Sequence, residues 1–442
     1  MRILFVVDGR SPIALNWIRH FSEGRGGAHE VHLVSTYPCS PELHLASFHV
    51  IPAAFGSSAG ERASAEKPGT GRGFLRRLLP VGARTAFRQW LGPLTLPGAA
   101  RGLADLVRQI QPDLVHAMRI PFEGMLAALA LEAFERVDTQ VGPYTNGGAG
   151  PRPGGGAGPH SGGHIGPPLL VSVWGNDFTL HARSNQRMAG LTRRVLRDAS
   201  ALHADCQRDI RLAHQWGFDA GKPSAVLPGG GGVQLDLFYP PASLAEVPGL
   251  RSAKPSQGTA QAFQMVINPR GFRAYVRNEA FFRAIPIVLK ELPETRFVCP
   301  AMAGEPQAVR WVEALGIEGS VELLPVQSRR GMADLFRRSQ IAVSPSTHDG
   351  TPNTLLEAMA CGCFPVAGDI ESLQEWITPG VNGMLVDPRS PQAIANAILR
   401  ALRDPDLRQL AQERNTRLIA ERAEYGRVMA EAERFYQRLI SQ

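Results

Sequence analysis

The sequence has few cysteines and no long apolar run, although 44% of its 442 residues are hydrophobic. No apolar stretch approaches the ~20 residues that a membrane-spanning helix needs. The first apolar run, RILFVV, begins at Arg2 without the extended hydrophobic core and cleavage site of a secretory signal. The five cysteines are an odd number and scattered, and Cys361 and Cys363 are too close together for a zinc pair of the usual spacing. We therefore expect a protein of the reducing cytoplasm.

Acidic side chains are missing from residues 67–104, and apolar residues such as Phe74, Phe87 and Trp90 interleave there with basic ones. The seven basic residues are Lys67, Arg72, Arg76, Arg77, Arg84, Arg88 and Arg101. A basic amphipathic segment can lie on an anionic membrane surface; the alternative is a solvated helix that packs its apolar face on its own domain. No recognised nucleic-acid-binding module accompanies the basic residues, so we expect no nucleic acid partner.

Glycine and proline are concentrated at residues 142–168, where they account for 11 and 6 of the 27 positions. Such a composition buries too little surface to order the chain, and it predicts a flexible loop. A phosphate-binding loop is the alternative, but no Gly-Lys-Ser/Thr follows and no helix opens directly after it. A second glycine run, at residues 229–232, indicates a hinge or a close approach between backbones.

Short apolar segments alternate with helical segments along the whole chain, which predicts a parallel α/β architecture. The predicted strands are RILFVV, VHLVS, FHVIPA, DLVHA, LLVSVW, ALHAD and SAVLPG, then QMVINP, RFVCPA, VELLPV, QIAVSP, CFPVAG and GMLVDP. Residues 239–260 carry Pro, Ser and Ala with little periodicity, and they predict a linker. We expect two Rossmann-like αβα domains, residues 1–238 and 261–422, that face each other across a cleft. A C-terminal helix at 423–442 is expected to return to the first domain.

The stretch HDGTPNTLLEAMACG, residues 348–362, places two carboxylates in a turn and helix between two strands. Thr351 can cap the helix and Pro352 suits its first position, while Asn353 and Glu357 are four apart and share one face. In open parallel sheets, ligands bind at the carboxyl ends of strands, where a helix N-terminus attracts phosphate. Asp349 and Glu357 would then accept hydrogen bonds from hydroxyl groups of a sugar and a ribose. The alternative is an ordinary strand–helix turn with Glu357 on a solvated face.

Three arginines lie just after the predicted strand QMVINP, where a cationic group can meet a diphosphate. Arg270 follows the strand directly, and Arg273 and Arg277 come shortly after it. Guanidinium groups pair with phosphate oxygens in a forked geometry. Their place at the carboxyl end of a strand favours a role in phosphate binding.

The run SPSTHDGTPNTLLEAMACGCFPVAG, followed by GVNGMLVDP, resembles the donor domain of the GT-B glycosyltransferases of family four, also called group 1. The family signature is a Glu, seven residues, and a second Glu followed by Ala-Met-Ala-x-Gly. Here Asp349 holds the first position and Glu357 the second, with the gap kept. The resemblance is strong over residues 264–403 and weaker over the first 240. It implies the GT-B fold and a retaining transfer of sugar from a nucleotide-sugar donor.

The resemblance also implies which residues bind the donor. Asp349 would hold the hydroxyl groups of the sugar, in a contact altered or mediated by water because Asp is one methylene shorter than Glu. Glu357 would bind the ribose, and Arg270 would neutralise the diphosphate. Arg277, with Arg273 as the alternative, would replace the family's lysine. Other residues implied to lie beside the sugar, the diphosphate or the base are Gly350, Thr351, Pro352, Asn353, Thr354 and Val326.

The first domain departs more from the family. Its run HAMR keeps His116, an expected catalytic residue, but places Met118 where the family has a second histidine, and WGND replaces the family's His-Gly-Ser-Asp. The loop after the first strand reads DGRSPIALNW instead of carrying a Gly-Gly pair. The acceptor-side residues implied by these alignments are Gly9, Ser11, Arg119, Glu123 and Asp177.

The expected activity is transfer of a sugar from a UDP- or GDP-linked donor to a hydroxyl group of an acceptor. The acceptor would be a glycan or a lipid-linked envelope precursor at the inner face of the membrane. No Asp-x-Asp metal motif occurs in a suitable loop, so we expect neither a metal nor another cofactor. The alternatives are a GT-B sugar-nucleotide epimerase, a catalytically impaired sugar-nucleotide-binding or scaffold protein, and a membrane-surface anchor built on residues 67–104.

Overall fold

The structure is a computed structural model that describes residues 1–24, 29–55, 81–138, 166–241, 264–273 and 275–441. It consists of two α/β domains, each built on one parallel sheet that helices cover. Parts of three segments discussed above lie outside the described residues: 67–80 of the basic segment, 142–165 of the glycine-rich loop and 242–260 of the linker.

The first domain contains a seven-stranded sheet in the order β3-β2-β1-β4-β5-β6-β7, with every pair of neighbours parallel. Its strands are β1 Arg2–Val7, β2 Glu30–Ser35, β3 Ser47–Val50, β4 Leu114–Ala117, β5 Leu169–Val173, β6 Ala201–Ala204 and β7 Ser224–Val226. The central strands β4, β5 and β6 are buried along their whole length, as expected for short apolar runs covered by helices on both faces.

The helices of the first domain are α1 Pro12–Glu23, α2 Val81–Leu91, α3 Leu96–Ile110, α4 Met125–Asp138, α5 Gln186–Asp198 and α6 Gln207–Gln215. A 3₁₀ helix at Gly92–Thr95 joins α2 to α3, and five-residue turns at Ile120–Gly124 and Asp177–His181 follow β4 and β5. Polar side chains begin several of these helices. The side chain of Asn185, for example, accepts a hydrogen bond from the amide of Met188 at 2.9 Å, which satisfies a free donor at the start of α5.

The second domain contains a six-stranded parallel sheet in the order β10-β9-β8-β11-β12-β13. Its strands are β8 Met265–Ile267, β9 Arg296–Cys299, β10 Val321–Leu323, β11 Ile341–Ser344, β12 Phe364–Gly368 and β13 Met384–Val386. Its helices are α7 Asn278–Glu291, α8 Pro306–Leu315, α9 Arg329–Arg338, α10 Asn353–Ala360, α11 Glu371–Gln374, α12 Pro391–Arg403 and α13 Pro405–Arg422. Every strand predicted from the sequence is present, and the predicted fold class is confirmed.

The last helix, α14 at Tyr425–Ile440, packs on the first sheet. The indole Nε1 of Trp17 on α1 donates to the hydroxyl of Tyr436 on α14 at 2.9 Å, inside that core. The chain passes the start of α14 at Gly232, whose φ is +88°. A methyl group on Gly232 would overlap the carbonyl of Ala423, so this glycine serves the close backbone approach predicted for its run.

Each sheet has one place where the strand order reverses, between β1 and β4 in the first and between β8 and β11 in the second. In open parallel sheets, ligands bind at such switch points, in the crevice beyond the carboxyl ends of the strands. The carboxyl edges of the two sheets meet: the hydroxyl of Thr351, after β11, donates to the carbonyl of Asp205, after β6. The cleft between the domains is therefore the place to look for a ligand site.

Candidate active site

Arg208 on α6 connects the two domains at the cleft. Its Nη2 donates to the carbonyl of Gly175 in the first domain at 2.8 Å, and its Nη1 donates to the carbonyl of Asp349 in the second at 2.7 Å. A methyl group on Gly175 would overlap the backbone of the loop after β11. From the second domain, the carboxylate of Glu375 accepts hydrogen bonds from the amides of Gln207 and Arg208, both at 2.9 Å. These contacts satisfy free donors at the start of α6 and hold the domains together.

Helix α10 begins at Asn353, one residue later than the sequence predicts. Pro352 has an extended backbone and is the N-cap, so the assignment of Thr351 as cap and Pro352 as first helical residue is wrong. The hydroxyl of Thr351 instead donates to the carbonyl of Asp205 and accepts from Trp376 Nε1 at 3.0 Å, because the domain contact uses it. The amide of Leu355 donates to the carbonyl of Pro352 at 2.9 Å, whereas the amides of Asn353 and Thr354, at the first two helical positions, have no acceptor within the helix and suit an anion.

Arg270 and Asp349 form a buried ion pair beside this helix terminus, with 2.5 Å between Nη2 and Oδ2. Their side chains are 8% and 14% exposed. The Nη1 of Arg270 also donates to the hydroxyl of Thr354 at 3.1 Å. A β-bridge between Val276 and Ser346 ties the loop after β8 to the loop after β11. The structure thus brings together three residues predicted to bind the donor.

The two arginines considered for the second cation have different surroundings. Arg273 donates from Nε to the carbonyl of Arg270 at 3.2 Å and so supports the backbone of that loop. Arg277 precedes α7, and its buried Nε has no hydrogen-bond partner among the described residues. Burial and the charge of Arg277 lower the pKa of His348, which adjoins Asp349. Of the two, Arg277 is therefore the one whose charge acts on His348 in the loop after β11.

Glu357 lies on α10 with its side chain 15% exposed, so the alternative of a solvated carboxylate is wrong. Its closest cation is Arg329, with 3.9 Å between Nη2 and Oε1. Burial raises the pKa of Glu357 to about 7, against the opposing charge of Arg329. Val326, which was expected to border the base, is 82% exposed in the loop after β10.

Arg119 and Asp177, two acceptor-side candidates, form an ion pair after β4 and β5, with 2.9 Å between Nε and Oδ1. The Nη2 of Arg119 also donates to the side-chain oxygen of Asn176 at 2.8 Å. The second oxygen of Asp177 accepts from the amides of Trp174 and Ile120, both at 3.2 Å. Asp177 is fully buried, whereas 27% of the Arg119 side chain is exposed. Asp177 therefore orients Arg119, which alone of the pair is accessible.

Glu123, a third acceptor-side candidate, is 3% exposed and accepts a hydrogen bond from the hydroxyl of Thr36 at 2.8 Å. Burial raises the pKa of Glu123, against the charges of Arg88 and Arg119. The guanidinium of Arg88 lies over the ring of Phe122, 4.3 Å from its centroid. Arg88 thus belongs to this polar cluster.

The remaining acceptor-side candidates, Gly9 and Ser11, lie in the loop after β1. The amide of Gly9 donates to the hydroxyl of Ser35 at 3.1 Å. The hydroxyl of Ser11 accepts from the amide of Ala14 at 3.4 Å and caps α1. Both residues shape the loop at the first switch point.

His116, an expected catalytic residue, lies in the core of the first domain. The ring is fully buried, with Nε2 2.7 Å from the hydroxyl of Ser172 and Nδ1 2.5 Å from the hydroxyl of Tyr436. Burial lowers its pKa well below the usual value, so the ring is neutral. Met118, at the family's second histidine position, is also buried. His116 therefore joins β4 to β5 and α14, with no ring nitrogen left for substrate.

Helix α2 and the turn after it expose a row of large apolar side chains. Phe87, Trp90, Leu91 and Leu94 are 54%, 64%, 39% and 59% exposed. The same segment also packs on its own domain: the ring centroids of Phe87 and Phe55 are 5.3 Å apart, and Leu96 and Leu103 are buried in the core. Within the described ranges, no helix has the length and apolar character needed to cross a membrane.

Three charged residues of the cleft are not among the candidates predicted from the sequence: Asp205, Arg208 and Glu375. Asp205 directly follows β6, so it carries the same signal as other candidates, a polar group at the carboxyl end of a parallel strand. Arg208 and Glu375 are 167 residues apart and meet only because the domains do. No local sequence pattern predicts that Arg208 and Glu375 meet.

Asp205, Cys206 and Asp209 form a cluster of potential metal ligands whose ligand atoms lie within 4.8 Å of one another. The guanidinium of Arg208 already neutralises Asp209, donating to Oδ1 from Nη2 at 2.7 Å and from Nε at 3.0 Å. Burial raises the pKa of the Cys206 thiol, which disfavours the thiolate that a metal would need. The cluster is better suited to its arginine than to a metal ion.

Two family models match the chain. The Glycosyl transferase 4-like domain matches residues 18–230, and Glycosyl transferases group 1 matches residues 273–404. The D-inositol 3-phosphate glycosyltransferase of Xylanimonas cellulosilytica is 30% identical over 225 residues, which cover 48% of this chain and 50% of the relative. That of Mycobacterium leprae is 31% identical over 184 residues, 39% of each chain. The chain thus spans about half the length, or less, of these curated relatives.

Solved structures resemble the whole chain. Sucrose-phosphate synthase from Thermosynechococcus elongatus has a TM-score of 0.68 at 16% identity, covering 100% of this chain and 99% of that one. Anabaena HepE in complex with UDP-glucose has a TM-score of 0.65 at 17% identity, covering 100% of both chains. At these identities the likeness concerns the fold alone. The chain belongs to the group 1, GT4-like glycosyltransferase family, and its two facing parallel-sheet domains have the GT-B fold.

Proposed function

We propose that the chain transfers a sugar from a nucleoside-diphosphate sugar to a hydroxyl group of an acceptor. The observation that carries this proposal is the position of Arg270, which lies between Asp349 and Thr354 at the first turn of α10. A diphosphate placed there would meet a guanidinium and free helix amides together. The neighbouring carboxylate of Asp349 suits the hydroxyl groups of the attached sugar.

UDP is the first nucleotide to test, and GDP the second. Anabaena HepE, which shares the fold, has been solved with UDP and with UDP-glucose. Glu357 would accept hydrogen bonds from the ribose, and the backbone around Val326 would border the base. The burial of Glu357 supports this role, because a buried carboxylate gains most from a hydroxyl donor.

The proposed reaction breaks the bond between the anomeric carbon and the diphosphate. Negative charge then develops on the leaving phosphate, where Arg270, Arg277 and the start of α10 would stabilise it without a metal. The acceptor hydroxyl would attack from the face that the phosphate leaves, so the product would keep the anomeric configuration of the donor. The close contact between the domains supports a cleft that excludes water during transfer.

On the acceptor side, Arg119 would contact the incoming molecule, while Asp177 and Glu123 would fix the shape and charge of the pocket. We propose a glycan or a lipid-linked envelope precursor as acceptor. The exposed side chains of Phe87, Trp90 and Leu94 favour the lipid-linked class, since they can insert at the surface of a membrane. The enzyme would then work at the inner face of that membrane.

The test is incubation of the purified chain with UDP- and GDP-sugars, with and without a chelator, followed by measurement of nucleotide release. Proton NMR of the glycoside reports the anomeric configuration of the product. Release that persists with chelator, and a product with the donor's configuration, would support the proposal. Inversion would contradict the retaining mechanism. Nucleotide binding with no release from any donor would favour a binding or scaffold protein.

A further inference from the structure

Asp205 is a buried carboxylate of the first domain that faces the second domain. It follows β6 and is 9% exposed. Its Oδ1 has no hydrogen-bond partner among the described residues. A buried carboxylate oxygen without a donor is unusual, because burial removes its water and leaves the lost hydrogen bonds uncompensated. Asp205 is therefore a place where a ligand with a hydrogen-bond donor would be stabilised.

The geometry around Asp205 directs its carboxylate at the loop that carries Asp349. A methyl group on Gly350 would overlap both oxygens of Asp205. Burial and the charge of Asp209 raise the pKa of Asp205, and the charge of Asp349 acts in the same direction. The carboxylate of Asp205, from the first domain, thus lies against the loop of the second domain that carries Asp349.

A second buried polar atom lies beside Asp205. The indole Nε1 of Trp174 has no hydrogen-bond partner among the described residues either. Both it and Asp205 Oδ2 border the backbone of Gly229, since a methyl group there would lie 3.8 Å from Nε1 and 3.9 Å from Oδ2. The carboxylate of Asp205 and the indole N–H of Trp174 therefore border the same stretch of backbone, and a sugar hydroxyl bound beside Gly229, which both donates and accepts, can satisfy the two together.

A cation is a poorer occupant of this position. The guanidinium of Arg208 donates hydrogen bonds to Asp209 and to the backbone carbonyls of Gly175 and Asp349, and its positive charge already acts on Asp205. The indole N–H of Trp174 would also face a bound cation with its hydrogen, which is repulsive. The pair suits a neutral hydroxyl group.

We propose that Asp205 and Trp174 bind a hydroxyl group of the transferred sugar, from the domain opposite the one that binds the nucleotide. This inference rests on the proposed function. The specificity for the sugar would then depend on both domains. The second domain would bind the nucleotide and one side of the sugar, and the first would bind another hydroxyl group of the sugar when the domains meet.

The experiment compares UDP with UDP-glucose by titration calorimetry, in the wild type and in Asp205→Ala. The affinity for UDP should stay within about twofold, because Asp205 does not contact the nucleotide. The affinity for UDP-glucose should fall about tenfold, because one hydroxyl loses its buried partner. Asp205→Asn should show a smaller loss, and Trp174→Phe should give the same pattern as Asp205→Ala.

Deoxy analogues of UDP-glucose identify the hydroxyl. Removing the bound hydroxyl should weaken binding to the wild type and leave the affinity of Asp205→Ala unchanged, a coupling that a purely structural role would not give. Glu371→Gln is the control, since this exposed carboxylate also contacts the other domain, through Arg211. It should leave the ratio of the two affinities unchanged. The melting temperature of each variant with saturating UDP checks that the fold is intact.

Equal losses for UDP and UDP-glucose in Asp205→Ala, or no loss for either, would overturn the inference while leaving the proposed function in place. Equal affinities of the wild type for UDP and UDP-glucose would likewise overturn the inference and leave the proposed function in place. A wild-type chain that binds neither UDP nor GDP would overturn the proposed function itself.

Discussion

The guanidinium of Arg270 and the carboxylate of Asp349 form an ion pair at 2.5 Å in the cleft, although the two residues are 79 positions apart. Each residue holds the other in a fixed orientation at the carboxyl edge of the second sheet. The pair also places opposite charges where a phosphate and a sugar are proposed to bind. A diphosphate would therefore share Arg270 with Asp349, and the carboxylate would weaken its binding.

Asp349→Asn should separate the two roles of this pair. Because the substitution removes a negative charge beside Arg270, UDP should bind at least as tightly as to the wild type. UDP-sugar should lose the additional affinity that its sugar contributes, and turnover should fall by at least tenfold. Calorimetry and a nucleotide-release assay measure the two effects. Weaker binding of UDP would contradict this division of roles.

Glu357 should make nucleotide binding depend on pH near neutrality. Its pKa is raised to about 7, so the carboxyl group ionises as the pH rises from 6 to 8, and the ionised form is the better acceptor for ribose hydroxyls. UDP affinity should therefore rise from pH 6 to pH 8. At pH 8, Glu357→Ala should weaken the free energy of UDP binding by about 1–3 kcal/mol.

The control for this pH effect is Glu357→Gln, because UDP itself titrates nearby. The ratio of wild-type to Glu357→Gln affinity cancels the titration of the phosphate and should increase from pH 6 to pH 8. A ratio that stays constant would argue against the ribose role of Glu357.

Gly175→Ala should impair catalysis more than nucleotide binding. The added methyl group overlaps the backbone of Gly350 and Asp349, so the two domains cannot approach as closely. We expect turnover to fall about tenfold or more, while the affinity for UDP changes less than twofold. Gly190→Ala on α5 is the matched control, since its methyl group would meet nothing within 4 Å. Equal turnover in both variants would contradict a requirement for this contact.

The exposed row on α2 should bind anionic membranes. Replacing Trp90 and Leu94 by Ser removes two apolar side chains that are 64% and 59% exposed and should reduce flotation with phosphatidylglycerol vesicles several-fold. Leu410→Ser, which changes an exposed leucine on α13, should have no effect. Flotation that does not respond to the double substitution would exclude this row as the membrane contact.

The strands, and the meeting of Arg270 with Asp349, could be predicted from the sequence because their signals are local. Short apolar runs bounded by polar turns gave every strand of both sheets. The positions of Arg270 and Asp349 followed from the rule that ligand groups gather at the carboxyl ends of strands. Helix α10 starts one residue later than predicted, because the hydroxyl of Thr351 donates to the carbonyl of Asp205, a residue 146 positions away in the sequence.

The first domain was harder to predict because its polar residues are divided between core and cleft by tertiary contacts. His116 and Arg119 are three positions apart, yet one is fully buried against Tyr436 of α14 and the other is partly exposed. The position of Arg88 likewise reflects a tertiary contact, because its guanidinium lies over the ring of Phe122 in the turn after β4.

The most direct test of the account is the affinity of Arg270→Gln for UDP and for uridine, measured beside the wild type and beside Arg283→Gln, which alters an exposed arginine on α7. If Arg270 binds the diphosphate, its replacement should lower the affinity for UDP by about tenfold or more and leave the affinity for uridine unchanged. Arg283→Gln should change neither affinity. Equal affinities of Arg270→Gln and the wild type for UDP would contradict the proposed site.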